Sequence, residues 1–193
     1  SEWASNISNE EYTMIKNTAL LILVFTTATF VSAAERTFEK VLQVDSDVRF
    51  ALDSHKGKIK IRTSAGDTVD IKARIYSDEH SAEELDKLKI VVGHASGTVS
   101  VDVDYDAWRE GFGGLLSGRN NMPYVDFDIL IPDGASLDVE THKSDFDIHA
   151  PAGEVELETH KGNGSIVGVR SDIEIETHKG NVDVEVLEMG DIK

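Results

Sequence analysis

The tetrapeptide Glu-Thr-His-Lys occurs three times in this chain, at a constant spacing of 18 residues. Each copy places a carboxylate two residues before an imidazole, and both groups are ligands that zinc and similar cations accept. Repeated acid–base chemistry is a second interpretation of the motif, and a repeated turn is a third. The candidate metal ligands form two columns: Glu140, Glu158 and Glu176, and His142, His160 and His178.

A lysine follows each of these three histidines. Lys143, Lys161 and Lys179 would repel a cation bound beside them. The glutamates also lack the clustered Asp/Asn/Gly loop of a dedicated calcium site. Pairing between lysine and glutamate along the columns would contribute less than about 1 kcal/mol per pair on a surface. We therefore expect solvated corner histidines, with a metal-binding solenoid as an alternative.

Apolar and polar residues alternate through most of the chain after Glu35, which predicts strands with one buried face. Turn-forming sequences such as His55-Lys56-Gly57 and Ala95-Ser96-Gly97 separate the alternating segments. Ser81 and Glu84 form a capping-box pattern, which predicts one short helix. The clearest alternating segments are Val48–Leu52, Lys58–Arg62, Val69–Ile75, Val99–Val103 and Val125–Ile131.

Three repeats, residues 137–154, 155–172 and 173–190, align column by column. One repeat cannot bury its apolar side alone, but stacked copies can. The predicted fold is therefore all-β, a stacked parallel β-solenoid or β-helix-like repeat with 18-residue C-terminal coils. An antiparallel meander with the same period is the alternative. The predicted inward columns are Leu137, Val155 and Ile173; Val139, Leu157 and Ile175; Thr141, Thr159 and Thr177; and Ile148, Ile166 and Val184.

The repeated motif itself is predicted to mark a corner. Gly162 and Gly180 follow His-Lys where the chain is expected to reverse, because glycine accepts the backbone angles of a tight turn. Asn163 and Asn181 come next, and short polar side chains of this kind bond to nearby backbone. Residues 53–57, Asp-Ser-His-Lys-Gly, are a fourth copy of the corner.

Two stretches, FEKVLQVDSDVRFALDSHKGKIKIRTSAGDTVDIKARIY and YVDFDILIPDGASLDVETHKSDFDI, resemble the bacterial "putative adhesin" family of β-strand repeat proteins. That family is a domain of unknown function related to the head region of autotransporter adhesins. The resemblance runs from Phe38 to the end of the chain and includes the Ile131-Pro132-Asp133-Gly134 turn. It implies an exported β-solenoid domain with no established catalytic residues, and an adhesive role.

The N-terminal segment has the pattern of a secretory signal peptide. A basic start at Met14 is followed by an apolar run and by small residues at Ala33-Ala34, so residues 14–34 are predicted to be removed on export. Residues 1–13 precede this segment and are predicted to lie outside the fold, as upstream sequence or an expression remnant. Residues 35–193 are then a single β-strand repeat domain of the periplasm, cell surface or extracellular space.

The chain ends at Lys193, where a further strand would begin. This predicts either a truncated sequence or an open edge through which copies self-associate.

The net charge of −17 disfavours nucleic acids and anionic membranes as partners. The chain has no cysteine, which excludes disulfides and thiol catalysis.

Catalysis has weak support in the sequence. No Ser-His-Asp motif, phosphate loop or nucleotide fingerprint occurs in a suitable context, so we predict a non-enzyme without cofactors. The catalytic alternative is a polysaccharide-acting β-helix enzyme. Its acid and base would be outward carboxylate pairs, such as Asp126 with Asp128 or Asp145 with Asp147.

A glycine-rich insertion between Asp106 and Pro123 interrupts the regular alternation. It is a candidate partner-binding loop, suited to an anionic glycan or a protein surface, although its apolar residues would equally well fold down onto the core. The predicted function is a non-catalytic adhesin, or an envelope-associated structural or binding protein. The loop residues concerned are Trp108, Arg109, Phe112, Leu115, Leu116 and Arg119.

Overall fold

The computed structural model describes residues 34–111 and 122–187. They form eleven strands and two short helices, which confirms the all-β prediction. The predicted signal peptide lies outside the described residues except for Ala34, the first residue of β1. The elements are β1 Ala34–Gln43, β2 Arg49–Ser64, β3 Thr68–Ser77, α1 Ala82–Leu85, β4 Lys89–Ala95, β5 Thr98–Asp104, α2 Asp106–Gly111, β6 Tyr124–Pro132, β7 Ser136–His149, β8 Val155–Lys161, β9 Gly164–Val169, β10 Ile173–Lys179 and β11 Val182–Val186.

Strand β2 is the centre of one mixed sheet with the order β1-β3-β6-β2-β7-β8-β10. Its first half, Arg49–Asp53, pairs with β5, and its second half, Ile59–Ser64, pairs with β6. Its other edge pairs with β7 from Arg49 to Ile61. The two halves of β2 therefore have different neighbours on one side and the same neighbour on the other.

The three repeats pair in parallel and keep the predicted columns. Leu137 lies opposite Val155, which lies opposite Ile173, and the first halves of the repeats form β7, β8 and β10. The second halves, in β7, β9 and β11, are also parallel, with Ile148 opposite Ile166 and Ile166 opposite Val184. The antiparallel meander is therefore not the arrangement of the repeats.

The N-terminal half of the domain differs from the predicted parallel solenoid. Strand β3 is antiparallel to both β1 and β6, and β4 is antiparallel to β5. The β4–β5 connection consists of Ser96 and Gly97, both with positive φ (52° and 75°). A two-residue turn of this kind joins only antiparallel neighbours, so it excludes a parallel coil at this point.

Both halves of β2 contribute to a single hydrophobic core. Phe50 and Leu52 lie in the first half, Ile59 and Ile61 lie in the second half, and all four side chains are buried in the same cluster. Burial of apolar side chains from both halves therefore stabilises the domain around one core.

The predicted helix is confirmed as α1. Ser81 is its N-cap, and the side chains of Ser81 and Glu84 form both bonds of the capping box. Leu85 and the following Leu88 are fully buried. Arg36 of β1 donates to the main-chain oxygens of both leucines and so satisfies carbonyl groups at the end of the helix.

Candidate functional site: a corner lined by columns of identical side chains

The His-Lys pair lies at the corner, or bend, of each coil: inside the continuous strands β2 and β7, and at the last two residues of β8 and β10. In β7 the side chains of Thr141 and Ser144 are buried, and the Thr141 hydroxyl donates to Ser144 Oγ at 2.7 Å. His142 and Lys143 lie between them and are half-buried. The predicted chain reversal at Gly162 is wrong, because β8 before it and β9 after it both run parallel to the continuous strand β7.

At two copies of this bend, Gly57 and Gly162, glycine is required because the backbone of a neighbouring strand passes very close to it. A Cβ on Gly162 would clash with the main-chain oxygen of Ser144, and one on Gly57 would clash with that of Val125. Gly57 also has φ of 149°, which disfavours residues with a side chain. The glycine thus allows close contact between coils rather than a reversal of the chain.

Short polar side chains connect successive coils at the bend. Asp145 Oδ1 accepts a hydrogen bond from the backbone N–H of Asn163 at 3.0 Å, and Asn163 Oδ1 accepts one from Asn181 at 3.0 Å. The same arrangement occurs earlier, where Asp126 accepts from the N–H of Lys58 at 2.9 Å. The predicted bonding to nearby backbone is therefore made to the adjacent coil.

The histidines form a column of four rings. His55 stacks on His142 with ring centroids 4.7 Å apart and an interplanar angle of 15°. His142 lies 4.6 Å from His160, which lies 4.9 Å from His178. The fourth corner copy identified in the sequence thus supplies the ring that begins the column.

The stacking geometry is unfavourable for one metal ion. Zinc holds nitrogen at about 2.0–2.1 Å, so two ligating nitrogen atoms of one ion lie within about 4 Å of each other. The ring centroids of His142 and His178 are separated by two steps of the column, each longer than 4.5 Å, which is too far for these two rings to share one ion. Among residues 34–111 and 122–187, no group of three or more His, Asp or Glu side chains is arranged to hold a metal.

An acidic column runs beside the histidines. Asp102 of β5, Asp53 of β2 and Glu140 of β7 occupy matching positions on adjacent parallel strands, and Glu158 and Glu176 continue the column. Partial burial and the nearby Asp102 raise the pKa of Asp53. The negative charge of Asp53, together with partial burial and Glu158, raises the pKa of Glu140.

A lysine column runs along the other side of the histidines. Lys56, Lys143 and Lys161 are matched residues on β2, β7 and β8, and Lys179 continues the register on β10. The first three line one open cavity of 310 Å³. We call this cavity the lysine–tyrosine groove, because Tyr76 and Tyr124 line its other end.

The two tyrosines form the middle of a stack of four side chains. Tyr76 of β3 and Tyr124 of β6 are cross-strand neighbours with ring centroids 5.2 Å apart and an interplanar angle of 14°. Lys56 Nζ lies 3.7 Å from the centroid of Tyr124, and the guanidinium carbon of Arg74 lies 4.4 Å from that of Tyr76. Burial and the adjacent Asp126 raise the pKa of Tyr76, so its phenol remains protonated.

The tyrosines were not identified from the sequence as site residues. Each lies at the end of an ordinary alternating segment, and only the pairing of β3 with β6 brings the two rings together. The lysines were identified, but only as charges that oppose a metal. Their repeat at the 18-residue spacing could have indicated an anion-binding row.

The candidate partner-binding loop is described only in part. Trp108 is 3% exposed and Met122 is also buried, so both pack into the core rather than onto a binding surface. Arg109 lies on the surface, 3.5 Å from Asp106 and 5.9 Å from the ring of Tyr105. Four of the predicted loop residues lie outside the described residues: Phe112, Leu115, Leu116 and Arg119.

The carboxylates of the catalytic alternative make structural contacts. Asp128 pairs with Arg62 at 2.5 Å, and Asp126 lies 3.9 Å from Arg74 in addition to its bond from Lys58 N–H. Asp145 bonds to the backbone of the next coil, and Asp147 is exposed. A general acid requires a carboxyl in a desolvated cleft, whereas Asp126 is half-buried and the other three aspartates are exposed.

The last coil leaves apolar side chains exposed. Val184 is 42% exposed, and Val186 and Leu187 are exposed as well. Within the described residues, β10 pairs only with β8, and β11 pairs only with β9. One edge of each strand thus presents unpaired backbone groups beside apolar side chains in this part of the chain.

Comparisons with known proteins assign no family. No family model matches the sequence. No curated protein matches it either.

In the described part of the chain, no helix is long and apolar enough to cross a membrane.

Several solved structures resemble the chain at low sequence identity. A "putative cell adhesion protein" from Clostridium sporogenes matches with 13% identity, over 79% of this chain and 100% of that one, with a TM-score of 0.41. A "putative lipid binding protein" from Parabacteroides distasonis matches with 12% identity, over 78% of this chain and 60% of that one, with a TM-score of 0.39. A "putative adhesin" from Bacteroides fragilis matches with 12% identity, over 79% of this chain and 94% of that one, with a TM-score of 0.31. These scores are too low to establish a common fold or function.

Proposed function

We propose that this chain is an exported, non-catalytic binding domain of the adhesin type, whose C-terminal repeats continue the stacking of a parallel β-solenoid. The main support is the corner, where successive strands present the same side chain at matched positions. Lysines, histidines and carboxylates form three adjacent columns there. A surface of this regularity suits a ligand that is itself repetitive, because each unit meets an equivalent group.

Binding is favoured over catalysis by the environment of the carboxylates. The acid and base of a glycoside hydrolase differ in pKa because one of them lies in a desolvated site. Here Glu140, Glu158 and Glu176 are exposed on the outward side of the strands, and the raised pKa of Glu140 has the neighbouring charge of Asp53 as its largest cause rather than a desolvated cleft. The function is therefore assigned to recognition of a protein or glycan surface.

Binding and turnover can be measured on the same sample. The purified chain is applied to an array of polysaccharides and cell-envelope components, and the bound polysaccharides are then incubated with it in solution. We expect binding without release of new reducing ends or unsaturated products. Clear turnover of any polysaccharide would refute the non-catalytic assignment and favour the β-helix enzyme.

Export through the predicted signal peptide has its own test. Expression of the chain from Met14 in a bacterial host is followed by cell fractionation and N-terminal sequencing. We expect mature protein outside the cytoplasm, with Glu35 as its first residue. Retention of the uncleaved chain in the cytoplasm would contradict this part of the proposal.

A second copy of this chain is the proposed occupant of the exposed apolar end. A two-fold related copy presents the same apolar residues and the same unpaired N–H and C=O groups, so the contact satisfies both partners. Its apolar centre would be Val184, Val186 and Leu187.

The oligomeric state tests this contact directly. We expect a dimer of residues 35–193 in sedimentation velocity, and a shift to monomer for the variant Val184→Lys/Val186→Lys. A matched control is Val91→Lys, since Val91 is also an exposed valine but lies on β4. A monomeric parent chain, or equal dissociation by the control, would refute self-association through this end.

A further inference from the structure

We propose that the lysine–tyrosine groove binds a linear acidic polysaccharide, carboxylated or sulfated, which lies along the stacking direction of the strands. The proposal rests on the binding function above and specifies its ligand. Five successive strands, β3, β6, β2, β7 and β8, supply a row of five side chains in the groove: Tyr76, Tyr124, Lys56, Lys143 and Lys161. At the usual strand spacing of about 4.8 Å this row spans about 19 Å, and Lys179 extends it by one step.

The row of lysines selects for a chain of anions. Lys56, Lys143 and Lys161 line one cavity, so a single ligand in it lies beside all three lysine side chains. Each ammonium carries three hydrogen-bond donors and acts as a compact charge that carboxylate or sulfate oxygens accept. Neutral polymers lack the charge that this row complements.

Lys56 is held in place before a ligand arrives. Its ammonium lies over the ring of Tyr124 and 3.4 Å from the main-chain oxygen of Met122. These contacts reduce the side-chain entropy that binding would otherwise cost. The end of the groove next to the tyrosines is therefore the preorganised end.

The nearby acidic groups do not remove this preference. Asp145 is the carboxylate in the groove, and its Oδ1 already accepts the backbone N–H of Asn163. Asp126 lies next to Tyr76, but it is not among the residues that line the groove. Four lysines, Lys56, Lys58, Lys143 and Lys161, line the groove together with this one aspartate, so cationic side chains outnumber anionic ones there although the chain as a whole is acidic.

The geometry favours a polysaccharide over a single-stranded nucleic acid. Sequence-tolerant binding of nucleic acids depends on stacking of bases on open aromatic faces. In this groove both tyrosine rings already pack against other side chains: Tyr124 contacts Tyr76 and Lys56, and Tyr76 contacts Tyr124 and Arg74. The rings offer their edges and phenol groups, which suit the hydroxyl groups of sugars.

The test is calorimetric titration of the full chain with defined oligosaccharides. Oligogalacturonate tests a carboxylated ligand, a heparin oligosaccharide tests a sulfated one, and dextran and oligo(dT) are the neutral and nucleic-acid probes. We expect binding of at least one acidic oligosaccharide, and none of dextran. The variant Lys143→Gln/Lys161→Gln should weaken that binding about tenfold, or about 1.4 kcal/mol.

A matched variant controls for net charge. Lys72→Gln/Lys89→Gln removes the same two charges at exposed positions of β3 and β4, outside the residues that line the groove. It should bind acidic oligosaccharides as the parent does, and thermal melts should show both variants folded. Equal weakening by both variants would indicate diffuse attraction and overturn the groove as the site.

The remaining outcomes separate the two proposals. Tighter binding of oligo(dT) than of either acidic oligosaccharide would replace the polysaccharide with a nucleic acid and overturn the inference. Failure of all acidic probes, with binding of another envelope component on the array, would overturn the groove but leave the binding function intact. Turnover of a probe would overturn the proposed function itself.

Discussion

The inner coils and the last coil have nearly the same apolar pattern but different environments. Ile148 and Ile166 are 0% exposed, whereas Val184 in the same column is 42% exposed. Thr159 is buried, whereas Thr177 in the matching position is exposed. The burial of a residue in these repeats therefore depends on the neighbouring coil as well as on the side of the strand to which its side chain points.

A second difference concerns the buried hydroxyl at the corner. In the first repeat Thr141 bonds to Ser144, but in the second repeat Gly162 stands where that serine would be. Thr159 Oγ1 is then buried without a hydrogen-bond partner among the described residues. Close contact between the coils at Gly162 thus coincides with an unsatisfied polar group in the same repeat.

The largest effect is expected from truncating the same column in different coils. Leu157→Ala creates a cavity between two coils and should lower the free energy of unfolding by about 3 kcal/mol. Ile175→Ala, in the half-buried last coil, should cost about 1 kcal/mol, because little apolar surface returns to water. Urea unfolding monitored by circular dichroism measures both. Equal costs would show that the last coil is as well covered as the inner ones.

The corner glycine should be the next most sensitive position. Gly162→Ala forces a Cβ against the backbone of the first repeat, and we expect a loss of about 2 kcal/mol. Gly66→Ala is the matched control, because its Cβ would meet only Ser64 Oγ at 3.7 Å, and it should change stability by under about 0.5 kcal/mol. Thermal unfolding measures the stability of both variants. A Gly162→Ala variant as stable as the parent would contradict the close contact between coils.

Removing the buried hydroxyls of Thr159 and Thr141 should change the stability of the domain in opposite directions. Thr159→Val replaces an unsatisfied buried hydroxyl with a methyl group and should stabilise the domain by about 1 kcal/mol. Thr141→Val removes the donor to Ser144 and should destabilise it by a similar amount. Both variants are compared by chemical denaturation. A destabilising Thr159→Val would indicate that the hydroxyl has a partner, such as ordered water.

The smallest effect is expected in the acidic column. Because the folded-state pKa of Glu140 is raised, its ionisation opposes folding, and this cost is present above that pKa and disappears as pH falls through it. Glu140→Gln should therefore stabilise the domain at pH 7 by under about 1 kcal/mol, and not below the ordinary glutamate pKa of about 4.3.

Glu35 provides the opposite case for the same pH series. Its hydrogen bond from Arg74 lowers its pKa, so its contribution to stability is present above the unfolded-state pKa and is lost as pH falls. Glu35→Gln should lower the melting temperature at pH 7. Melting curves at several pH values test both glutamates, and the same sign for the two variants would refute this assignment of charges.

Much of the repeat was predictable from residues close together in sequence. The columns of Leu137, Val139 and Ile148 have the predicted facing, because alternation fixes the side of a strand on which each residue lies. The capping box of Ser81 and Glu84 is equally local and is confirmed. The signal peptide and the metal ligands stay predictions.

The predicted reversal at Gly162 was wrong for a physical reason. Glycine permits both a tight turn and close approach of another backbone, and the sequence does not distinguish these uses. The flanking residues differ by coil, since only the first repeat has the hydrogen-bonding pair Thr141 and Ser144. The contact across coils that requires glycine is visible only in the folded domain.

By itself, the sequence determined the side of the strand on which the repeat residues lie, because this depends on local alternation. The 18-residue spacing and the recurrence of His-Lys are likewise visible in the sequence, because they belong to the repeat itself. Only the tertiary structure decided which strands are neighbours. It placed β6 on one side of the second half of β2 and β7 on the other, and it brought Tyr76 and Tyr124 to the lysine column. Alternation with period two makes every strand a suitable partner for every other, so long-range packing had to choose among them.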